Sequence, residues 1–117
     1  IKLLKSLFPN EIKLYTAERD GALLAGVLCF DCGNVVHAQY IAAGAEARTC
    51  GALDLLFATL LEIYSGRAYF DFGISNEPET GRVNEGLIFQ KEGFGGRAVC
   101  YDRYLVSLDS LVAATPK

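Results

Sequence analysis

The sequence predicts an α/β domain in which helices pack on a mixed, largely antiparallel sheet, in the order β-β-β-α-β-α-β. Three observations predict this fold. Short turn signals separate three strand-like segments, a long apolar stripe at helical spacing follows, and a short strand, a helix and a last strand come after it. No repeat, low-complexity tract or linker divides the chain, so we expect a single domain over residues 1–117.

The composition excludes several classes of protein. Hydrophobic residues make up 51% of the 117 residues, which is enough to build a core. The net charge is −3 and the basic residues are scattered, so the sequence does not indicate a DNA-binding surface. No apolar run approaches the roughly 20 residues of a membrane span, and no export signal opens the chain. We therefore expect a cytoplasmic protein that does not use a membrane.

The first residues match the last turns of an amphipathic helix that Pro9 stops. The apolar side of this helix is formed by Leu3, Leu4, Leu7 and Phe8. Because the chain opens on Ile1 inside the helix and contains no Met, we expect it to be the C-terminal part of a longer protein.

Three strands are predicted in the first 42 residues. The first, residues 12–19, ends at Asp20-Gly21, a strong signal for a two-residue hairpin. The second covers residues 22–30 and the third residues 35–42, with a turn between them. Alternation in the third strand places His37, Gln39 and Ile41 on one face and Val36, Ala38 and Tyr40 on the other.

The periodicity becomes helical after Gly44. A long helix ending at Gly66 is predicted from an apolar stripe that consists of Leu53, Leu56, Phe57, Leu60, Leu61 and Tyr64. The opposite side of this helix is also apolar, so we expect a covering neighbour, either upstream sequence or a second copy in a homodimer. A strand at residues 68–73, a helix at 83–92, a final strand at 97–107 and a short helix from Leu108 complete the prediction.

The four cysteines allow three interpretations. Cys29 and Cys32 form the Cys-x-x-Cys of a zinc knuckle and His37 could add a ligand, but Cys50 and Cys100 stand in unrelated segments. A disulfide between Cys29 and Cys32 would require an exported protein, which the sequence does not indicate. We therefore expect no metal, and we interpret all four as small, buried, reduced cysteines.

A candidate anion-binding loop joins the third strand to the long helix, with the sequence Arg48-Thr49-Cys50-Gly51-Ala52. Small residues let an anion approach the free N–H groups at a helix N-terminus, where the helix dipole also attracts it. The Arg48 guanidinium can add a bidentate contact to the same phosphate. The alternative is that Gly51 and Ala52 only allow a tight entry into the helix.

These features together resemble the GNAT acyltransferases. The shared order is a meander, the Arg-x-x-Gly-Ala turn, a helix, a short strand and a second helix that begins at Asn84 and runs into Gly93-Phe94. The resemblance covers most of residues 12–107. It looks closest to the FemAB-like branch, where a similar Phe-Asp-Phe-Gly strand and Lys-x-Gly-Phe-Gly helix ending recur.

By this resemblance, the chain would be the C-terminal half of an N-acyltransferase domain. It would move an acyl group from acetyl-CoA or another acyl-CoA to an amine acceptor, or an aminoacyl group in the FemAB manner. Arg48, Gly51 and Ala52 would hold the pyrophosphate of the coenzyme, and Asn84 would contact its arm.

Two residues depart from the family pattern. Leu53 stands where the family loop has a small residue. Phe89 stands where the family tends to carry the Tyr that protonates the leaving thiolate, and Phe has no proton to give. The alternative function is therefore a catalytically inactive GNAT-like module with a structural or regulatory binding role.

Direct acyl transfer needs a base for the amine proton and donors for the oxyanion. His37, the only histidine, shares a predicted strand face with Gln39, which places a base candidate beside a donor candidate. Asp71 stands between Phe70 and Phe72, where an unpaired buried carboxylate would be costly. We expect Asp71 at the C-terminal end of a strand that splays from the third strand, in a catalytic or a structural role. The alternative for His37 is an ordinary strand residue.

For four other polar residues we favour a structural interpretation over a catalytic one. Lys91 and Glu92 are interpreted as a solvated helix end. Tyr101 and Tyr104 are possible donors on the last strand, but core packing or a surface pair is the interpretation that we favour.

Overall fold

One mixed sheet and the helices packed on it form the part of the protein that the computed structural model describes, residues 1–110. The elements in chain order are α1 (Lys2–Leu7), β1 (Ile12–Arg19), β2 (Ala22–Asp31), β3 (Val35–Ala43), α2 (Ala45–Cys50), α3 (Ala52–Ile63), β4 (Tyr69–Asp71) and α4 (Glu85–Gly93). The strand order is β1-β2-β3-β4; the first two pairings are antiparallel and β3 with β4 is parallel. The predicted fold class is confirmed. No helix in this range has the length and apolar character needed to cross a membrane.

The β1–β2 hairpin forms where the sequence predicts it. Asp20 and Gly21 have φ angles of 53° and 79°, the left-handed pair that the favoured two-residue hairpin turn needs. The helix predicted before Pro9 is present as α1. Lys5 ties α1 to β1, because its Nζ donates to the carbonyl oxygen of Ile12 at 2.7 Å.

A β-bulge interrupts β3 at Gln39. Ala38 and Tyr40 pair with consecutive residues of β2, so Gln39 between them is the extra residue. The predicted alternation is therefore wrong beyond Ala38: Tyr40 lies on the face of His37, and Ile41 lies on the opposite face. An inserted residue shifts the period by one, and the sequence alternation gives no sign of it.

An aromatic cluster centres on Phe57 of α3. Its ring centre lies 5.4 Å from those of both Phe72 and Phe94. The ring of Phe70 is 6.4 Å away, edge on. As predicted, Phe70 and Phe72 share one side of their segment, and that side faces α3. Asp71 between them therefore points to the other face of the sheet.

Paired tyrosines tie the end of α3 to β1. The hydroxyl oxygens of Tyr15 and Tyr64 are 2.5 Å apart and the two rings meet edge to face. Burial, followed by the hydrogen bond with Tyr15, raises the pKa of Tyr64. Arg67 lies against the Tyr64 ring and forms a bidentate ion pair with Asp31, at 2.7 and 2.8 Å. These contacts fix the start of β4 beside the β2–β3 turn.

The outer side of α3 mixes apolar and polar side chains, and no other part of residues 1–110 covers its apolar ones. Leu55 is 68% exposed and Ile63 is 53% exposed, whereas the sheet-facing residues Leu56 and Leu60 are buried. The second apolar side predicted from the sequence is therefore present only in part. Leu55, Ala58 and Ile63 face outward among polar residues, whereas Ala52 is buried.

A short helix replaces the open loop that the sequence predicts after β3. Ala45–Cys50 is helical, and Gly51, with a φ of 72°, separates this helix from α3. Ala45, Glu46 and Ala47 are good or acceptable helix formers, which explains why the segment winds into a turn of helix.

The predicted strand at residues 97–107 is not formed, since residues 96–107 contain no helix or strand. A strand needs a neighbour for its N–H and C=O groups, and β4 offers an edge of only three residues. Tyr101 and Tyr104 are 90% and 85% exposed, so core packing is wrong for both. Residues 108–110 are helical as predicted; the rest of that tail lies outside the described residues.

The cysteines do not share one environment. Cys29 is buried as predicted, and burial, with the nearby Asp31 carboxylate, raises the pKa of its thiol to about 11. Cys32, Cys50 and Cys100 are exposed free thiols, so the prediction of burial is wrong for these three. Each lies in or beside a turn, a short helix or an irregular segment rather than on the covered face of a strand.

Candidate functional site

The parallel pairing of β3 with β4 brings His37 and Asp71 together. The register aligns Val35 with Tyr69, and two residues further it aligns His37 with Asp71. Residues opposite one another in a sheet point to the same face, so both side chains project from the face opposite α3. The two most prominent catalytic candidates from the sequence are therefore direct neighbours.

Each oxygen of the Asp71 carboxylate has a partner. Oδ2 is 2.8 Å from Nδ1 of His37, and Oδ1 accepts a hydrogen bond from the Gly73 backbone N–H, also at 2.8 Å. When Nδ1 carries the proton and donates to Asp71, the His37 Nε2 atom holds a lone pair. The side chains of His37 and Asp71 are 30% and 49% exposed, so this lone pair belongs to a group that solvent and substrates can reach.

Opposing effects act on the pKa of Asp71. Partial burial is the largest single effect and raises the pKa. The hydrogen bonds from Gly73 and His37 and the charges of His37 and Lys91 lower it, and together they outweigh the effect of burial. The net result is a pKa below the ordinary value of an aspartate. Asp71 is therefore an ionised acceptor at neutral pH, suited to orienting a histidine rather than to donating a proton.

The backbone pairing of β3 with β4 ends at this pair. Asp71 is the last residue of β4, as predicted, whereas β3 continues to Ala43. Gly73, with a φ of 81°, turns the chain beside β3; a Cβ placed on it would lie 3.6 Å from the Ala38 carbonyl oxygen and 3.9 Å from the His37 ring. The segment that follows β4 therefore stays packed beside β3 and the imidazole, and the predicted splaying of the two strands is limited to the end of their backbone pairing.

Gln39 is not part of this contact. It is the bulged residue of β3 and lies on an exposed stretch of the strand. The face that it was predicted to share with His37 is taken by Tyr40.

The candidate phosphate loop follows the carboxyl end of β3. Arg48 is exposed in the last turn of α2, Gly51 has the left-handed φ, and Ala52 is the buried first residue of α3. Open space surrounds the position that a Cβ of Gly51 would occupy. The first amides of α3 have no acceptor within their own helix, which makes this end of the helix suitable for an anion.

Asn84 is the N-cap of α4. Its Oδ1 accepts a hydrogen bond from the Leu87 backbone N–H at 3.1 Å, and its own backbone N–H donates to the Ser75 carbonyl oxygen at 2.7 Å. The cap uses the side-chain oxygen and leaves the NH₂ group for another contact.

Lys91 is a residue of this site that the sequence analysis did not predict. It is half buried rather than part of a solvated helix end, and its ammonium donates to the backbone oxygens of Gly73 and Ile74 and to Ser75 Oγ, at 3.2, 2.8 and 2.8 Å. The available signal was the Lys-x-Gly-Phe-Gly ending of α4 after the Phe-Asp-Phe-Gly strand. Within residues 1–110, no three His, Cys, Asp or Glu side chains are grouped as a metal would need.

The sequence and the fold each resemble known acetyltransferases. A family model described as an acetyltransferase (GNAT) domain matches residues 2–79. The fold is similar to that of ribosomal-protein-alanine N-acetyltransferase from Brucella melitensis biovar Abortus 2308, with 16% identity, a TM-score of 0.61, and coverage of 84% of this chain and 72% of that one. It is also similar to AAC(6')-Iy in complex with the bisubstrate analogue CoA-S-monomethyl-acetylneamine, with 16% identity, a TM-score of 0.57, and coverage of 82% and 71%. No match was found among curated proteins.

Proposed function

Because this chain belongs to the acetyltransferase (GNAT) domain family, we propose that it transfers an acyl group from acyl-CoA to an amine, with His37 as the base. The observation that carries this proposal is the 2.8 Å contact between His37 Nδ1 and Asp71 Oδ2 at the last residue pair of β3 and β4. A base whose orientation is fixed by a second group is the arrangement that general-base catalysis requires.

The reaction converts an amine and a thioester into an amide and a thiol. The His37 Nε2 lone pair accepts a proton from the amine as its nitrogen attacks the thioester carbonyl carbon. The C–N bond forms and the C–S bond breaks. His37 then passes the proton that it took from the amine to the leaving thiolate, which becomes the thiol. Asp71 keeps the Nδ1 proton in place and stabilises the imidazolium while it lasts.

Return of the proton by His37 matters because α4 offers no acid at the family position. Phe89 occupies that position and is 81% exposed. A single histidine that first accepts and then donates a proton serves both halves of the reaction without a tyrosine.

We assign binding of the acyl donor to two helix starts. Arg48 and the amides that follow Gly51 and Ala52 would hold the pyrophosphate, and the free NH₂ group of Asn84 would contact the pantetheine arm. The left-handed Gly51 and the exposed Arg48 support this assignment. We propose that the donor carries an acetyl or other acyl group, with an aminoacyl group, in the FemAB manner, as the alternative. We also propose that the protein acts in the cytoplasm.

A catalytically inactive binding module is the second candidate, and Phe89 is the observation that favours it. The two candidates differ in one measurement: an inactive module binds acyl-CoA or another partner without releasing thiol.

The decisive experiment is acyl transfer from acetyl-CoA, followed by mass spectrometry of the amine. Suitable acceptors are a peptide with an N-terminal alanine and neamine, the amines that the names of the two structural neighbours suggest. His37→Gln should lower kcat by about 10²–10⁴-fold without a change in the melting temperature. Thermal shifts with acetyl-CoA and with aminoacyl-tRNA decide between the donors. Binding without turnover in the wild-type protein would establish the inactive module instead.

A further inference from the structure

Lys91 connects α4 to the segment that follows β4. Its three hydrogen bonds, to Gly73, Ile74 and Ser75, use the full donor capacity of an ammonium group. The Ser75 side chain is buried, and Lys91 itself is half buried. Burial disfavours the charged form of a lysine, so an ammonium here is costly unless hydrogen bonds compensate for the lost water. The three acceptors provide these hydrogen bonds.

The segment that Lys91 holds is the one that orients Asp71. Gly73 accepts from Lys91 through its carbonyl oxygen and donates to Asp71 Oδ1 through its N–H. The left-handed φ of 81° lets Gly73 face both groups at once. A continuous chain of hydrogen bonds therefore runs from Lys91 through Gly73 and Asp71 to His37.

We propose that Lys91 is a positioning residue for the His37–Asp71 pair, a role that rests on the proposed acyltransferase function. It holds the Gly73 peptide in the orientation that fixes the carboxylate, and its positive charge adds to the effects that favour the ionised form of Asp71. It touches neither substrate in this role. The charged groups that act on Asp71 are His37 from β3 and Lys91 from α4.

The end of α4 is shaped around the Lys91 backbone. The Gly96 N–H donates to the Lys91 carbonyl oxygen at 3.0 Å, and the Phe94 N–H donates to the same oxygen at 3.2 Å. A Cβ on Gly96 would lie only 2.8 Å from that oxygen. The glycine-rich ending of α4 thus fixes the backbone from which the Lys91 side chain extends.

The test replaces Lys91 in the whole chain and measures two quantities. Lys91→Gln removes the charge but keeps a donor, and Lys91→Arg keeps the charge. We expect Lys91→Gln to lower kcat by at least about ten-fold with little change in KM. In a plot of kcat against pH, the fall in activity on the acid side should move to higher pH. Lys91→Arg should retain the position of this fall. Glu92→Gln, next to it on the exposed side of α4, is the matched control and should change neither.

The second measurement needs no substrate. The titration of the Asp71 carboxyl carbon, followed by NMR, should move to higher pH in Lys91→Gln and not in Glu92→Gln. If this titration moves but no variant or wild-type protein transfers an acyl group, the positioning role stands and the proposed function fails. If His37→Gln abolishes transfer while folded Lys91→Gln keeps the wild-type kcat and Asp71 titration, the proposed function stands and Lys91 is only structural. Should Lys91→Gln not fold, Ser75→Ala, which removes one acceptor, should move the same titration in the same direction, and an unmoved titration would overturn the role.

Discussion

His37 of β3 and Asp71 of β4 are direct partners in the parallel strand pair, and a 2.8 Å hydrogen bond joins their side chains although they are 34 residues apart in sequence. Backbone pairing fixes the spacing of the two Cα atoms, so the side chains meet without a flexible loop between them. The orientation of the imidazole is therefore a property of the sheet.

Substitutions of two aspartates in this sheet, Asp71 and Asp31, should affect catalysis and stability separately. Asp71→Asn keeps the shape and removes the charge, so we expect kcat to fall by about 10²–10⁴-fold. The unfolding free energy should change by less than about 1 kcal/mol, because the Asp71 ion pair is half exposed. Activity assays and thermal melts check both.

Asp31→Asn is the matched control and should show the reverse. Its carboxylate is largely buried and forms the bidentate pair with Arg67, so its loss should cost about 1–3 kcal/mol of stability and leave kcat unchanged. Loss of folding in Asp71→Asn, or no effect on either quantity, would mean that Asp71 only holds the sheet together.

The stability contributed by Asp71 should depend on pH in a defined window. Despite the opposing effect of partial burial, the pKa of Asp71 is lowered in the folded protein from its ordinary value of 3.8. A lowered pKa favours the ionised folded form, so the contribution is fully present above 3.8 and is lost as the pH falls through the lower, folded value. The stability difference between wild type and Asp71→Asn, from urea unfolding, should shrink as the pH falls below about 5. A difference that keeps growing below that pH would contradict the sign.

The candidate phosphate loop predicts a loss of affinity without a loss of fold. Arg48→Ala should weaken binding of acetyl-CoA by about 1.5–3 kcal/mol, the scale of a charge-assisted hydrogen bond. Calorimetry measures this directly. Arg103→Ala, another exposed arginine but in the segment without secondary structure, is the control and should bind normally. Equal affinity of wild type and Arg48→Ala would remove Arg48 from the site.

Local signals predicted most of the sheet, because turns and alternation are encoded by neighbouring residues. The Asp20-Gly21 hairpin and the shared side of Phe70 and Phe72 follow from such signals. The bulge at Gln39 could not be predicted in this way, because it appears only in the register between two strands. Residues 97–107 have strand-like composition, but a strand also needs an available edge, and that is a property of the folded sheet.

For the site, too, the sequence predicted individual residues but not the contacts between segments that are distant in the chain. Asp71 and His37 were identifiable as candidates from residue type and context, and their contact required the parallel register of β3 and β4. Lys91 was misread as solvated because α4 shows no strong apolar face that would indicate which side is covered. Its three acceptors lie in a loop 16 to 18 residues earlier in the chain.

The exposed apolar residues on the outer side of α3 lead us to expect self-association. Leu55 and Ile63 expose apolar surface on a helix that is otherwise packed on the sheet. We expect the protein to form a symmetric dimer through this side. Leu55→Glu combined with Ile63→Glu should then shift the mass from light scattering to that of a monomer, whereas Leu3→Glu on α1 should not. A wild-type protein that is monomeric at high concentration would contradict the dimer.

Two glycines at the end of α4 provide a test of its packing. A Cβ at Gly96 would lie 2.8 Å from the Lys91 carbonyl oxygen and 3.4 Å from the Phe72 ring, so the backbone must shift to accept Gly96→Ala. We expect a loss of about 1–3 kcal/mol of stability, the usual cost of overpacking. Gly93→Ala is the matched control, since its Cβ would meet nothing within 4 Å and alanine favours the helix, so stability should stay equal or rise by up to about 1 kcal/mol. Chemical denaturation of the two variants measures the difference. If Gly96→Ala is as stable as Gly93→Ala, the chain after Gly95 does not close on α4, and the backbone at Lys91 is held by the helix alone.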